Sequence, residues 1–280
     1  MTGKALGIIA GGGDLPRAIA ETVRESGRGV FVLALRGSAE PWVEQYPHEW
    51  VALGEVRKAF NALRLGDCGD VVLVGQVERP KFSEIKLDTK AVMLAPRVMA
   101  AALKGDDALL RSLVDMFDRE GFKVVGVAEA APGLIAGAGP VGRIVPSAEQ
   151  QSDVALGLKV VRAMGALDVG QAAIVCNGLT LSVEAAEGTD KMMNRVLELP
   201  EHIRGTEKKP RGVLVKAPKP IQDRRTDLPV VGVQTVKNAQ RVGLAGIAIE
   251  AGGALIIDRR AVAEAADKAG LFVIGVPAGS

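Results

Sequence analysis

The stretch ALGIIAGGGDLP, residues 5–16, begins with a short apolar run and continues through three glycines into the start of a helical segment. We predict a buried strand over Ala5–Ala10, a loop at Gly11–Gly13 and a helix after it. The carboxylate of Asp14 can cap this helix, and Pro16 suits its first turn, where a missing N–H group costs no hydrogen bond. The order of strand, glycine loop and helix indicates an α/β fold.

Further strands alternate with helical segments through the first half of the chain. Val30–Leu35 and Val71–Val74 are short β-branched runs, and each follows a helical segment. The apolar residues Leu110, Leu113, Val114 and Phe117, spaced at i, i+3, i+4 and i+7, make Asp106–Glu120 an amphipathic helix. Lys123–Val127 follows it as another strand. This alternation predicts a parallel sheet covered by helices on both faces, that is, a Rossmann-like domain.

The second half predicts a mixed sheet. Ala172–Cys176 and Leu179–Ala185 are apolar runs joined by Asn177-Gly178, the favoured two-residue turn of a β-hairpin. The remaining predicted elements are a helix on Val154, Leu158 and Val161, strands at Val213–Val215, Val230–Val233, Ala254–Ile257 and Phe272–Val276, and helices at Thr235–Val242 and Arg260–Ala269.

Between the two halves, nine of the twelve residues 131–142 (APGLIAGAGPVG) are Pro, Gly or Ala, and we expect no regular element there. We therefore predict two α/β domains: an N-terminal Rossmann-like domain with a parallel sheet at 1–130, a linker at 131–146 and a C-terminal mixed-sheet domain at 147–280.

Composition excludes several classes of function. The net charge is +2 and aromatic residues make up 3% of the chain, so we expect no nucleic-acid partner. Cys68 and Cys176 are far apart and lack a CxxC pattern, which favours reduced, buried thiols. The apolar stretch Ala91–Leu103 is interrupted by Pro96 and Arg97 and is too short for a membrane span. We expect a soluble, cytoplasmic protein.

The types of reactive residue narrow the chemistry. The chain has two histidines, no HExxH pattern and no GxSxG elbow, so a triad hydrolase or a histidine-rich zinc enzyme is disfavoured. Carboxylates, lysines, arginines and backbone N–H groups remain, and this set serves phosphate chemistry with Mg²⁺.

Four short motifs carry candidate phosphate ligands. Backbone N–H groups at a glycine loop before a helix can bind an anion, although a plain tight turn explains the same glycines. A dinucleotide fingerprint fails because Pro16 replaces its third glycine and Arg36, a basic residue, ends the second strand. The candidate substrate ligands are Gly11, Gly12, Gly13 and Asp14 in the loop, Gln76 and Arg79 in GQVERP, Lys104 in KGDDALLR and Thr189 in EAAEGTD. An ion pair with a neighbouring acid explains Arg79 equally well, and a helix cap at Asp106 or Asp107 explains KGDDALLR better than a phosphate site does.

Acidic and basic side chains concentrate in two segments of the second half. EAAEGTD, residues 184–190, offers Glu187 and Asp190 to a divalent cation, although a capped helix with solvated acids explains it equally well. KAPKPIQDRRTDLP, residues 216–229, is a proline-stiffened loop. There Lys216 and Lys219 would neutralise diphosphate oxygens and Asp227 would hold Mg²⁺ or orient water.

The motifs AGGGDLP, GQVERP, KGDDALLR, DVGQAAIVCNGLTLSVEAAEGTD and KAPKPIQDRRTDLPVVG occur in this order over nearly the whole chain. Together they resemble the LpxI-type UDP-2,3-diacylglucosamine pyrophosphatases of lipid A biosynthesis in Gram-negative bacteria. The resemblance implies a magnesium-dependent hydrolase that converts UDP-2,3-diacylglucosamine to 2,3-diacylglucosamine 1-phosphate (lipid X) and UMP. It also implies that the essential aspartate of the family, in its DLP segment, corresponds to Asp227.

Two acyl chains require apolar surface. Met93–Leu103 and Met192–Leu199 are candidates to line it, although packing in the core is the more common fate of such segments. A homodimer and a transient contact with the inner-membrane surface complete the expectation. The alternatives are an NADP-dependent oxidoreductase, with Arg36 on the 2′-phosphate, and a non-catalytic carrier of UDP-sugar or lipid.

Overall fold

The computed structural model describes residues 4–77, 85–103, 105–220 and 228–279. The chain divides into two compact units, Met1–Gly133 and Leu134–Ser280. Each unit is an α/β structure, which confirms the predicted fold class. None of the helices in these ranges combines the length and apolar character needed to cross a membrane.

The first unit contains a five-stranded parallel sheet in the order β3-β2-β1-β4-β5. Its strands are β1 (Ala5–Ala10), β2 (Val30–Leu35), β3 (His48–Val51), β4 (Cys68–Val74) and β5 (Lys123–Val124). Its helices are α1 (Asp14–Glu25), α2 (Val56–Leu65), α3 (Thr89–Ala102), α4 (Asp106–Arg119) and α5 (Val127–Ala130). Because β2 and β4 lie on opposite sides of β1, the strand order reverses there, and this is where such sheets form a crevice at their carboxyl ends.

The core of the first unit forms where α2 and α4 cover the sheet. Phe60 of α2 packs edge-on against Phe117 of α4, with ring centroids 5.2 Å apart, and stacks on Phe122. Val114 and Phe117, two members of the predicted apolar stripe, are buried in this cluster. The helical spacing in the sequence therefore identified the face of α4 that packs on the sheet.

The second unit is built on a six-stranded mixed sheet in the order β6-β13-β11-β9-β7-β8 and a separate parallel pair, β10-β12. The strands are β6 (Gly139–Pro140), β7 (Ala172–Cys176), β8 (Leu179–Val183), β9 (Val213–Lys216), β10 (Val230–Val231), β11 (Gly246–Glu250), β12 (Leu255–Ile256) and β13 (Phe272–Val276). The helices are α6 (Ala148–Ala166), α7 (Thr189–Val196), α8 (Val233–Arg241) and α9 (Arg259–Ala269).

Alternate residues of the six-stranded sheet enter two different cores. One face packs on α6, where Leu158 and Val161 meet Val215 of β9. The other face packs on α7, α8 and α9, where Met192 and Met193 are fully buried. Met192–Leu199 thus contributes to the core, the more common of the two fates considered for it.

Several predicted elements differ from the structure. Lys123–Val127 pairs only at its first two residues, because β5 is an edge strand beside the start of β4, and the chain then turns into α5. Residues 131–142 do contain paired backbone, since β6 lies antiparallel to β13. A Gly-Pro pair is tolerated there because β6 is at the sheet edge. β3 and β11 have no counterpart among the predicted strands.

The predicted hairpin turn is confirmed. Asn177 and Gly178 have φ values of 50° and 77°, and Cys176 pairs with Leu179 across them. The buried carboxylate of Asp153, on α6, accepts the backbone N–H groups of Asn177 at 2.9 Å and Gly178 at 2.7 Å. The turn is therefore held by a helix that lies outside the hairpin.

Replacing Asp153 by alanine is expected to lower the free energy of unfolding by about 2–4 kcal/mol, because the two backbone N–H groups of the turn lose a buried, charged acceptor. Urea denaturation of the whole chain measures the change. Asp153→Asn, which keeps one acceptor oxygen, should lose less. The exposed Glu149 on the same helix supplies the control variant, Glu149→Ala. Equal losses in the Asp153 and Glu149 variants would contradict the assigned role.

Candidate active site

Buried charge concentrates at the carboxyl edge of the six-stranded sheet. The buried polar and charged residues in the described ranges are Ser112, Asp153, Glu184, Lys216 and Glu250. Lys216 and Glu250 are the last residues of β9 and β11, and Glu184 directly follows β8. Because burying a charge is costly, and ligands of open α/β sheets bind at the carboxyl ends of strands, this edge is the candidate active site.

Lys216 is a buried lysine at this edge. The residue is 6% exposed, and its Nζ donates to the carbonyl oxygen of Val230 at 3.1 Å. Lys216 pairs with Ile249 of β11, so its side chain is on the sheet face that packs on α7, α8 and α9. The sequence analysis placed Lys216 in the site, and the structure puts a buried cation at the start of the loop that carries Asp227.

Glu250 and Arg162 form an ion pair at the same edge, and neither residue was predicted. Arg162 of α6 approaches the buried Glu250 carboxylate with an Nη2–Oε2 distance of 3.1 Å. Since Glu250 follows Ile249, its side chain lies on the α6 face, opposite to that of Lys216. The sequence signal for Glu250 was an acidic residue at the end of the apolar run GIAIE. It was missed because strand β11 itself was not predicted.

Glu184 joins three parts of the second unit. Its Oε2 accepts the backbone N–H of Gln171 at 3.0 Å, and its Oε1 accepts the hydroxyl of Thr189 at 2.6 Å. The start of β7, the end of β8 and the start of α7 are therefore fixed to one another. Thr189, predicted as a substrate ligand, uses its hydroxyl in this contact.

The two described members of the predicted metal set already have partners. Glu187 is ion-paired with Arg195, whose Nη2 lies 2.7 Å from Oε1, and Asp190 accepts Nδ2 of Asn238 at 2.9 Å. In the described ranges no three His, Cys, Asp or Glu side chains are grouped to hold a metal ion. Glu187 and Asp190 would have to give up these contacts to bind Mg²⁺, so the metal site stays a prediction.

Lys219 lies in the loop that follows Lys216 and β9, and its environment differs from that of Lys216. Its Nζ is 2.7 Å from Oδ1 of Asp168, and it is partly buried. Asp168 follows α6 and has a φ of 57°. Lys219 is thus anchored to the end of α6, whereas Asp227, Arg79 and Lys104 lie outside the described residues.

The glycine loop of the first unit is tied to the end of β4. The N–H groups of Gly11 and Gly12 donate to the carbonyl oxygens of Val74 and Gln76, each at 2.8 Å, and Gln76 N–H donates back to Gly12 at 2.9 Å. A Cβ on Gly11 would lie 2.6 Å from the Gln76 carbonyl oxygen. The tight-turn interpretation therefore accounts for Gly11 and Gly12, and the predicted anion contact depends on Gly13 and the first turn of α1.

Three helices start at glycines where a side-chain cap was expected. Gly13, Gly105 and Gly188 are the N-caps of α1, α4 and α7, with φ values of 88°, 118° and 82°. Asp14 and Thr189 are therefore the first helical residues and do not cap, because glycine adopts these backbone angles without strain. Because these N-caps are glycines, the first turns of the three helices have no side-chain cap hydrogen bond.

The cysteines are buried and free, as predicted. Burial raises the pKa of the Cys68 thiol to about 11, with a further contribution from the charge of Asp67. Burial also raises the pKa of Cys176. Because the thiolate is the reactive form, neither cysteine is suited to act as a nucleophile at neutral pH.

Comparison with known proteins agrees with this division into two units. The LpxI N-terminal domain model matches residues 5–134, and the LpxI C-terminal domain model matches residues 137–274. The UDP-2,3-diacylglucosamine pyrophosphatase LpxI of Caulobacter vibrioides is 48% identical over 273 residues, which cover 98% of each chain. Because the domain matches and the identity extend over almost the whole length, the chain belongs to the LpxI family.

Proposed function

We propose that this chain hydrolyses the pyrophosphate bond of UDP-2,3-diacylglucosamine to 2,3-diacylglucosamine 1-phosphate (lipid X) and UMP, a step of lipid A biosynthesis. The observation that carries the proposal is the 48% identity to a pyrophosphatase of this specificity over 98% of both chains. The buried Lys216 at the carboxyl edge of the sheet adds a cation where an anionic substrate would bind.

The reaction requires water to add to a phosphorus atom while the bond to the bridging oxygen breaks. With attack at the phosphorus on the sugar side, UMP is the leaving group and lipid X receives the water oxygen. Negative charge increases on the phosphoryl oxygens, and fixed cations in a site with little water stabilise it. Lys216 supplies such a cation from its buried position, and Lys219 supplies a second if it exchanges Asp168 for the substrate.

Magnesium belongs to the proposal through the resemblance and the chemistry of phosphoanhydrides. A bound Mg²⁺ would neutralise diphosphate oxygens and lower the pKa of a coordinated water. Asp227 remains the first choice for a metal ligand or for the residue that orients water, with Glu187 and Asp190 as further ligands. A homodimer, a cytoplasmic location and transient contact with the inner membrane are further parts of the proposal.

The two alternatives receive less support. Arg36, which would hold the 2′-phosphate of NADP, donates its Nη2 to the carbonyl oxygen of Trp50 at 3.2 Å. A carrier of the same lipid would bind the substrate but would have no use for the acids around Glu187 and Asp227. Turnover separates the carrier from the hydrolase, because a carrier binds the substrate and releases no UMP.

Purified protein is expected to release UMP from UDP-2,3-diacylglucosamine with Mg²⁺ and to stop when EDTA removes the ion. Liquid chromatography of the nucleotide products measures the rate, and Mg²⁺ added in excess of EDTA should restore it. UMP release that continues in EDTA would show that hydrolysis does not need Mg²⁺, and the proposed hydrolase activity would stand without the metal. The absence of UMP under all conditions, with substrate binding retained, would favour the carrier.

A further inference from the structure

Helix α3 exposes an apolar face that a water-soluble domain would normally bury. Eleven of its fourteen residues, TKAVMLAPRVMAAA, are apolar, yet within the helix only Ala91 is buried. Val92, Pro96 and Met99 are exposed and share one face of the helix, with Leu103 directly beyond its end. We name Val92, Met93, Pro96, Met99 and Leu103 the α3 stripe. Core packing, the commoner fate considered for Met93–Leu103, is therefore not what the structure shows.

The α3 stripe is too exposed to line a groove. Met93 is 82% exposed and Leu103 is 90% exposed. Side chains exposed to this degree contact little of their own unit, so they do not form the walls of a recess for a single acyl chain. Contiguous apolar surface of this kind marks a binding surface for a protein or a membrane.

The charges around the stripe favour an anionic surface. Residues 86–103 contain the basic residues Lys86, Lys90 and Arg97, and their one acidic residue, Asp88, accepts the backbone N–H groups of Lys90 and Ala91 at the start of the helix. Lys90 pairs with Glu120 and Arg97 pairs with Asp115, both on the side of the helix toward α4. An apolar helix face with basic residues beside it is typical of helices that lie in the interface of a bilayer with anionic lipids.

We propose that the α3 stripe docks this chain on the surface of an anionic phospholipid bilayer. The inference rests on the proposed function, because the acyl chains of UDP-2,3-diacylglucosamine hold the substrate in such a bilayer. Docking brings the enzyme to its substrate and requires no membrane-spanning segment. The apolar side chains enter the acyl boundary while Lys86 and Arg97 remain at the level of the head groups.

Sedimentation of the full-length chain with vesicles tests the docking surface. Vesicles of phosphatidylethanolamine with phosphatidylglycerol are expected to bind the protein more tightly than phosphatidylcholine vesicles, by about fivefold for each basic residue that reaches the anionic surface. The double variant Met93→Glu/Leu103→Glu should lower vesicle affinity about tenfold or more, since both replacements bring charge into the interface. Both positions are so exposed that the fold should survive, which circular dichroism checks.

The control is Leu65→Glu/Leu167→Glu, which adds the same charges at leucines that are 89% and 78% exposed outside α3. The control should keep vesicle binding within about twofold of the unmodified chain. Equal losses in both double variants would overturn the proposal. A different result would assign the stripe to a second copy of this chain and overturn docking. In that result the unmodified chain is a dimer, the α3 variant alone is a monomer, and neither protein binds vesicles.

Turnover of detergent-dispersed substrate separates this proposal from the proposed function. The α3 variant should turn over dispersed substrate at the rate of the unmodified chain, while losing turnover of substrate in vesicles. Vesicle binding that depends on the stripe, without UMP release by any form, would leave docking in place and overturn the hydrolase. A rise in KM for dispersed substrate with unchanged vesicle binding would instead make the stripe an acyl-chain site and overturn docking.

Discussion

Replacing Asp227 by alanine is expected to reduce UMP release by at least about 10³-fold, the largest effect of any single change in this chain. The resemblance to the family places the essential carboxylate at this position, four residues after Asp223 in the segment DRRTDLP. A carboxylate that holds a cation or orients the attacking water acts mainly on the transition state. The loss should therefore appear in kcat, with substrate binding largely kept.

Single-turnover kinetics measures the rate of the chemical step, and calorimetric titration with substrate measures binding. Asp223→Ala is the matched control, because it removes the same charge from the same segment, and it should retain most of the activity. Asp227→Asn keeps the size of the side chain and tests whether charge is required. Comparable losses in Asp223→Ala and Asp227→Ala would show that the segment needs its overall charge and would remove the specific role of Asp227.

Replacing Lys216 by methionine is expected to lower kcat/KM by about 10²–10³-fold while leaving the free energy of unfolding within about 1 kcal/mol of the unmodified value. Methionine fills a similar volume, and removing a buried ammonium group also removes its desolvation cost. The lost hydrogen bond to the Val230 carbonyl oxygen works in the opposite direction. Loss of activity with unchanged stability would mark Lys216 as a residue kept for function.

Steady-state kinetics measures kcat/KM, and urea denaturation of the same preparations measures the free energy of unfolding. Lys159→Met serves as the control, because Lys159 is exposed on α6 and outside the candidate site. It should change neither activity nor stability appreciably. Full activity in Lys216→Met, with stability equal to or above that of the unmodified chain, would make Lys216 a structural residue and shift the cationic role to Lys219.

Residues were proposed for the candidate site from sequence only where a motif carried its own chemistry. KAPKP pointed to Lys216, which the structure buries at the end of β9, and EAAEGTD marked the start of α7. The pair of Arg162 and Glu250 has no such motif, since 88 residues separate its members. The partner of Thr189 was also missed, because Glu184 becomes buried only when β8 packs beside β7.

The sequence by itself determined the two α/β units, the bounds of β1, β2, β7 and β13, the Asn177-Gly178 turn and the family, since each depends on neighbouring residues or on motif order. Only the tertiary structure decided the strand orders, the binding of the Gly11 and Gly12 N–H groups to the end of β4 and the exposure of the α3 stripe. The physical reason is that periodicity and turn chemistry act over a few residues. Burial and pairing depend on which distant segments the sheet places side by side.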